Sequence, residues 1–155
     1  MGNLILESFT LFHFLAPFAA MTPLNPLDAL NAEPSPYHLH VDIRPEYLPE
    51  QSSPIDERYV FAYHVRVENR GDMAAQVLAR HWVIKDADGH VEEVKGLGLV
   101  GRQPYLQPGQ HFEYTSGCPL RTASGSMRGT FFCIAEDTTR FEIAVLPFEL
   151  YMPPE

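Results

Sequence analysis

The residues from Gly96 to Gly109, GLGLVGRQPYLQPG, carry the densest chemical signal in the chain. Gly96, Gly98 and Gly101 stand in G-x-G-x-x-G spacing. Glycines so placed let main-chain N–H groups close on an anion, and Arg102 adds charge, so the ligand class is phosphate or pyrophosphate. Gln103 and Pro104 complete the candidate site. In a dinucleotide-binding fold the third glycine opens a helix whose N-terminus holds the pyrophosphate. Here Pro104 follows soon after Gly101, and then Pro108-Gly109. Proline drives the preceding residue out of the helical region and lacks a donor, so a loop alone would have to hold the ligand. The other reading of the same glycines is positive φ and tight turns between strands.

Other groups could do chemistry. His38, His40 and Asp42 alternate along an extended segment, and two histidines two residues apart can reach one transition metal. The same spacing fits an exposed polar face. Asp86, Asp88, Glu92 and Glu93 gather around a turn, where carboxylates suit magnesium or simple solvation. Arg80 shares a strand face with Leu78 and Trp82. An inward arginine needs a partner, either a carboxylate or a ligand between layers. Ser116, Thr122 and His111 offer a nucleophile and a base, in no recognisable triad order. Cys118 and Cys133 form no C-x-x-C, which argues against zinc or a redox motif. They read as free buried thiols of a reducing, cytoplasmic protein, the alternative being a disulfide between neighbouring strands.

The elements that must position these groups are strands. Tyr59, Phe61, Tyr63, Val65 and Val67 alternate with Ala62, His64, Arg66 and Glu68. Leu39, Val41 and Ile43 alternate with the histidines; Leu78, Arg80, Trp82 and Ile84 form another such face. Asn69 to Asp72 turns, and Asp88-Gly89 is a favoured hairpin dipeptide. Val91–Val94, Phe112–Ser116, Met127–Ile134 and Phe141–Val145 follow, with a turn at Ala123–Ser126 and Pro147 ending the last strand. No amphipathic helix interrupts them. Seven or eight short strands predict an antiparallel β-sandwich. Trp82 on a middle strand without a matching cysteine pair favours a fibronectin type III-like variant of the immunoglobulin-like class.

Composition bounds the partners. Twenty acids against 11 bases give a net charge of −9, the wrong sign for a nucleic-acid backbone. Leu4 to Met21 is strongly apolar, but no Lys or Arg precedes Arg44, and Glu7, His13 and Pro17 interrupt the run. That fits neither a secretory signal nor a membrane span. Three readings are left, a weak signal or anchor, a helix docking on the domain, or an upstream start that is not the biological one; the third is favoured, because Met21 opens a stretch that reads like an ordinary N-terminus. Pro23, Pro26, Pro34 and Pro36 make the next segment a lead-in. The expected division is therefore an extension over 1–35 and a sandwich domain over 36–155.

Several blocks carry a family resemblance. They are Tyr59-x-Phe61-x-Tyr63, Asn69, Arg80-x-Trp82-x-Ile84 and Asp86-x-x-Gly89. The longest is Gly96-x-Gly98-x-Val100-Gly101-x-Gln103-Pro104-x-Leu106-x-Pro108-Gly109. Phe112-x-Tyr114-x-Ser116, Leu120-x-Thr122, Gly125-x-Met127-x-Gly129, Phe141 and Pro147-x-x-Leu150 complete the set. In these the chain resembles the ApaG family over 37–152. The first 21 residues depart from that family, which usually starts close to the first strand. The resemblance implies a fibronectin type III-like sandwich, an association with cobalt and magnesium resistance or efflux, and no transferable enzymatic mechanism.

The leading expectation is a non-enzymatic binding or regulatory module in divalent-cation homeostasis. Its partner would be a protein or a small phosphate-bearing ligand, at Gly96–Pro104 with Arg80. No cofactor is firmly implied beyond a possible divalent cation. A homodimer through an exposed strand edge is compatible with the fold. The alternative is a nucleotide- or pyrophosphate-binding enzyme using the same loop. A carboxylate or histidine converging beside the loop would favour the enzyme; an exposed apolar edge there would favour the partner module.

Overall fold

The computed structural model describes residues 35–155, so the apolar run Leu4–Met21 and nearly all of the proline-rich lead-in lie outside the described residues. Eight strands follow in order: β1 (Leu39–Tyr47), β2 (Tyr59–Asn69), β3 (Ala75–Asp86), β4 (Val91–Leu97), β5 (Tyr105–Leu106), β6 (His111–Leu120), β7 (Ser124–Ala135) and β8 (Arg140–Tyr151). Among the described residues the only helical pieces are two 3-10 turns, Pro49–Gln51 and Pro54–Asp56. All pairings are antiparallel. One sheet runs β1-β2-β6; the other runs β4-β3-β7-β8, with β5 beside the start of β3. The all-β sandwich expected from the alternation is what the chain forms.

The core lies where the alternating faces meet. Phe61, Tyr63, Val65 and Val67 from β2 are buried against Met127, Phe131 and Cys133 from β7. Trp82 sits at the centre, 1 % exposed, edge-on to Phe131 at 5.7 Å and Phe148 at 6.1 Å. Edge-to-face packing places the positive rim of one ring on the negative face of another. Gly129 faces Trp82 across the β3–β7 ladder. A Cβ there would stand 2.6 Å from both the His81 carbonyl and Trp82 Cε3, so the indole occupies the space a side chain would need.

Four local expectations differ from what the chain does. β8 continues through Pro147 to Tyr151, because the proline falls in a register shift outside the ladder. β7 begins at Ser124, and the bend is earlier, at 121–123. Gly125 is small to admit the Lys85 carbonyl and Leu120 Cδ1, and serves close approach instead of turning. β4 extends through Gly96 to Leu97, so the first motif glycine belongs to a strand. Leu78 does not share the face of Arg80 and Trp82: it is the extra residue of a bulge in β3.

Both thiols are buried and free. Burial, which disfavours the thiolate, pushes each up to about 12 from an ordinary 9.0. Iodoacetamide at pH 8 is expected to label neither Cys118 nor Cys133 until denaturant is added. Below pH 9 the thiols are neutral in both states and cost nothing. Above it the unfolded chain ionises first, so stability falls as pH climbs towards 12. Gly129→Ala is expected to lose about 3 kcal/mol in urea unfolding, by overpacking against Trp82.

Candidate functional site

The geometry of the glycine-rich loop starts from the bulge in β3. Val77 faces Cys133 and Ala79 faces Phe132, so Leu78 is skipped in the ladder to β7. An extra residue reverses which alternate side chains point inward. Ala75 and Val77 face the core before it; Trp82 and Ile84 pack on the core after it. Arg80, two residues before Trp82, is thereby turned between the sheets.

Its partners there are main-chain carbonyls. Arg80 Nη1 donates to Leu97 O at 3.1 Å and Gly98 O at 2.9 Å. Gly96 faces Arg80 across the β3–β4 ladder. A Cβ on Gly96 would stand 2.9 Å from Nη1, so this glycine makes room for the guanidinium. The bulged residue supplies the second anchor. Leu78 O accepts the Gly98 N–H at 2.7 Å and Gln103 Nε2 at 3.0 Å.

Beyond Gly98 the chain makes a two-residue reversal. Leu99 N–H donates to Arg102 O at 2.6 Å and Arg102 N–H returns to Leu99 O at 3.1 Å. Val100 and Gly101 take φ of 50° and 77°, the sense that type I′ turns require at both corners. Leu99 is fully buried and plugs the loop into the core. Gln76 Nε2 donates to Gln103 O, and the Val77 N–H donates to Pro104 O. The loop is thus sewn back along β3 until it becomes β5. No helix follows Gly101, as the prolines require.

Asn69 is a positioning residue that its place in the sequence marks only as the start of a turn. It is 1 % exposed, and its Nδ2 donates to Met73 O and Leu106 O, both at 2.9 Å. Its main chain bonds Gly109 N–H and Gln110 O. Asn69 therefore ties the β2–β3 turn, β5 and the Gly109 turn together. The one available signal was an asparagine opening a turn. Between the tied segments lies an open groove of about 670 Å³, lined by Arg102–Leu106 and Gly109–Phe112. Tyr105 (48 % exposed) lines it, and Val100 (57 % exposed) stands out at the turn corner two residues before Arg102.

The interior near Arg80 is rich in donors. Burial pushes the Tyr63 and Tyr114 phenols upward, partly opposed by the positive charge of Arg80. The Tyr114 hydroxyl and Trp82 Nε1 are buried without a protein partner.

The other candidate groups are elsewhere. His40 Nε2 pairs with Asp42 Oδ1 at 3.0 Å on β1, and His38 precedes that strand. They border a separate groove between β1 and β8, lined also by Ile143 and Phe148. Among the described residues no three His, Cys, Asp or Glu side chains converge to hold a metal ion. Asp86 Oδ1 accepts the Asp88 and His90 N–H groups and caps its own hairpin. Ser116 lies mid-β6 against Tyr63, Thr122 Oγ1 bonds the β6–β7 turn, and His111 opens β6 at the groove. Five residues of extended strand, about 17 Å, separate His111 from Ser116.

A family model described as ApaG domain matches residues 49–135. The chain is 54 % identical over 118 residues to Protein ApaG of Bordetella pertussis, covering 76 % of this chain and 90 % of that one. It is 53 % identical over 116 residues to Protein ApaG of an Acidovorax species, covering 75 % of this chain and 82 % of that one. Among solved structures it is similar to the ApaA protein from Bordetella pertussis, at 53 % identity and TM-score 0.76. That likeness covers 78 % of this chain and 98 % of the other.

The glycines predict unequal costs. A Cβ on Gly98 would lie 2.4 Å from Arg102 O at a φ of 66°, whereas Gly101 has open space and only its φ to satisfy. Gly98→Ala is expected to cost about 3 kcal/mol in urea unfolding and Gly101→Ala about 1 kcal/mol. Equal small losses would contradict the packing described.

Proposed function

This chain belongs to the ApaG domain family, and on that premise we propose that it is a non-enzymatic binding module whose glycine-rich loop is a platform for a protein partner. One observation carries the reading. The loop's amides at Gly98, Leu99 and Arg102 are satisfied internally, while Val100 is exposed at the turn corner and Tyr105 is exposed on the lining of an open groove. Bound amides are not free to cradle phosphate; exposed aromatic and aliphatic side chains over a groove are what a peptide segment uses. Arg102 and His111 at the groove suit an acidic group on that partner.

Val100 adds weight. A β-branched residue at positive φ is strained by about 1–3 kcal/mol. The preferred pair for this turn is Asn-Gly. A valine kept exposed where it is strained supports a contact role over a folding role. The part in cobalt and magnesium homeostasis that the family resemblance implies would then be exercised through the partner.

The test separates stability from function. In a strain lacking the gene, Val100→Asn is expected to be about 1 kcal/mol more stable than wild type yet restore cobalt tolerance poorly. Arg102→Glu with Tyr105→Ala should fold normally and also fail to restore it. Wild-type amides should show no saturable shift with pyrophosphate, ATP, Mg²⁺ or Co²⁺. Saturable shifts from Gly96 to Gln103 with pyrophosphate would instead make the loop a phosphate site and favour the enzyme reading.

A further inference from the structure

Among the described residues the sheets end on four long strands, β1 and β6 in one and β4 and β8 in the other, with the two-residue β5 a short further edge beside β3. Edge strands expose unpaired main-chain groups, and proline is one common way to blunt them. β1 carries Pro45, β6 carries Pro119, and β8 carries Pro147 within a bulge. β4 carries none, and its register with β3 is unbroken from Val91 to Leu97. It is the one long edge, among the described residues, that no proline protects.

We propose that two copies of this chain associate about a two-fold axis by antiparallel pairing of their β4 edges, centred on Val94. Main-chain direction fixes which groups are available. Asp86 N–H donates to His90 O and Gly98 N–H donates to Leu78 O, at the two ends of the β3–β4 ladder. Hydrogen-bonded pairs alternate in antiparallel strands. Glu92, Val94 and Gly96 therefore turn their groups to β3, and Val91, Glu93 and Lys95 turn theirs to the free side, as does the Leu97 N–H, the Leu97 carbonyl being taken by Arg80 Nη1.

With the axis at Val94 every outward residue meets a complement. Glu93 faces Lys95 of the second copy, and Lys95 faces its Glu93. Val91 and Leu97, which are 50 % and 53 % exposed, face each other across the axis. Opposite charges and apolar pairs directly across an antiparallel ladder stabilise it. Neighbouring registers fail. An axis at Glu93 sets that carboxylate against itself, and an axis at Lys95 sets ammonium against ammonium. Half-step registers oppose outward groups with inward ones and form no ladder. The groove at Arg102–Phe112 contains no β4 residue, so a heterologous partner there and a second copy at β4 are separable.

Sedimentation velocity of the full chain tests the register by charge reversal. Wild type is expected to be a dimer. Glu93→Lys and Lys95→Glu, each with normal circular dichroism, should each weaken it at least about tenfold, because each sets like charges opposite twice. The double variant Glu93→Lys/Lys95→Glu restores opposite charges and should regain the dimer. A wild type that stays monomeric at every concentration would overturn the proposal. So would a dimer indifferent to either single reversal, or a double variant that remains monomeric.

Discussion

The carbonyl of Leu78 is the point on which the loop depends. A bulge frees it from the β3–β7 ladder, and it then accepts the Gly98 N–H and the Gln103 side chain. The same extra residue reverses the strand's facing, so a guanidinium enters between the sheets two residues before the central tryptophan. Without the bulge Arg80 would point to solvent and the carbonyls of Leu97 and Gly98 would lose their donor. An inward arginine survives because hydrogen bonds replace the hydration it gives up.

That anchoring changes the meaning of the glycine spacing. Gly96 is bare to admit Arg80, Gly98 turns where a side chain would meet the Arg102 carbonyl, and Gly101 forms a turn corner. The three residues serve three unrelated steric demands. Together they build a rigid reversal that buries Leu99 and presents Val100 and Tyr105 outward. Function then rests on what the loop shows, and stability on what it hides. The strained Val100 marks the boundary between the two.

Much of the fold was legible in the chain, and much of the site was not. The period-two runs of β2 and the Asp88-Gly89 hairpin fix the sandwich because burial alternates with the pleat. Leu78, Arg80, Trp82 and Ile84 look like one unbroken face in sequence; the bulge that removes Leu78 from it depends on tertiary pairing. The partners of Arg80 were invisible for a related reason. They are main-chain carbonyls, which every residue possesses and no residue type announces. Asn69 was similarly hidden, its five ties all running to main-chain groups. Pro147 read as a stop because proline breaks ladders, yet a bulge lets a strand run past it.

Amide hydrogen exchange across the loop, with and without pyrophosphate, bears most directly on the loop being satisfied from within. Gly98, Leu99 and Arg102 should be protected nearly to the level of global unfolding in the free protein and unchanged by pyrophosphate, while Val100 and Gly101 exchange freely. Rapid exchange at Gly98 and Leu99 in the free protein, slowed when pyrophosphate is added, would contradict it.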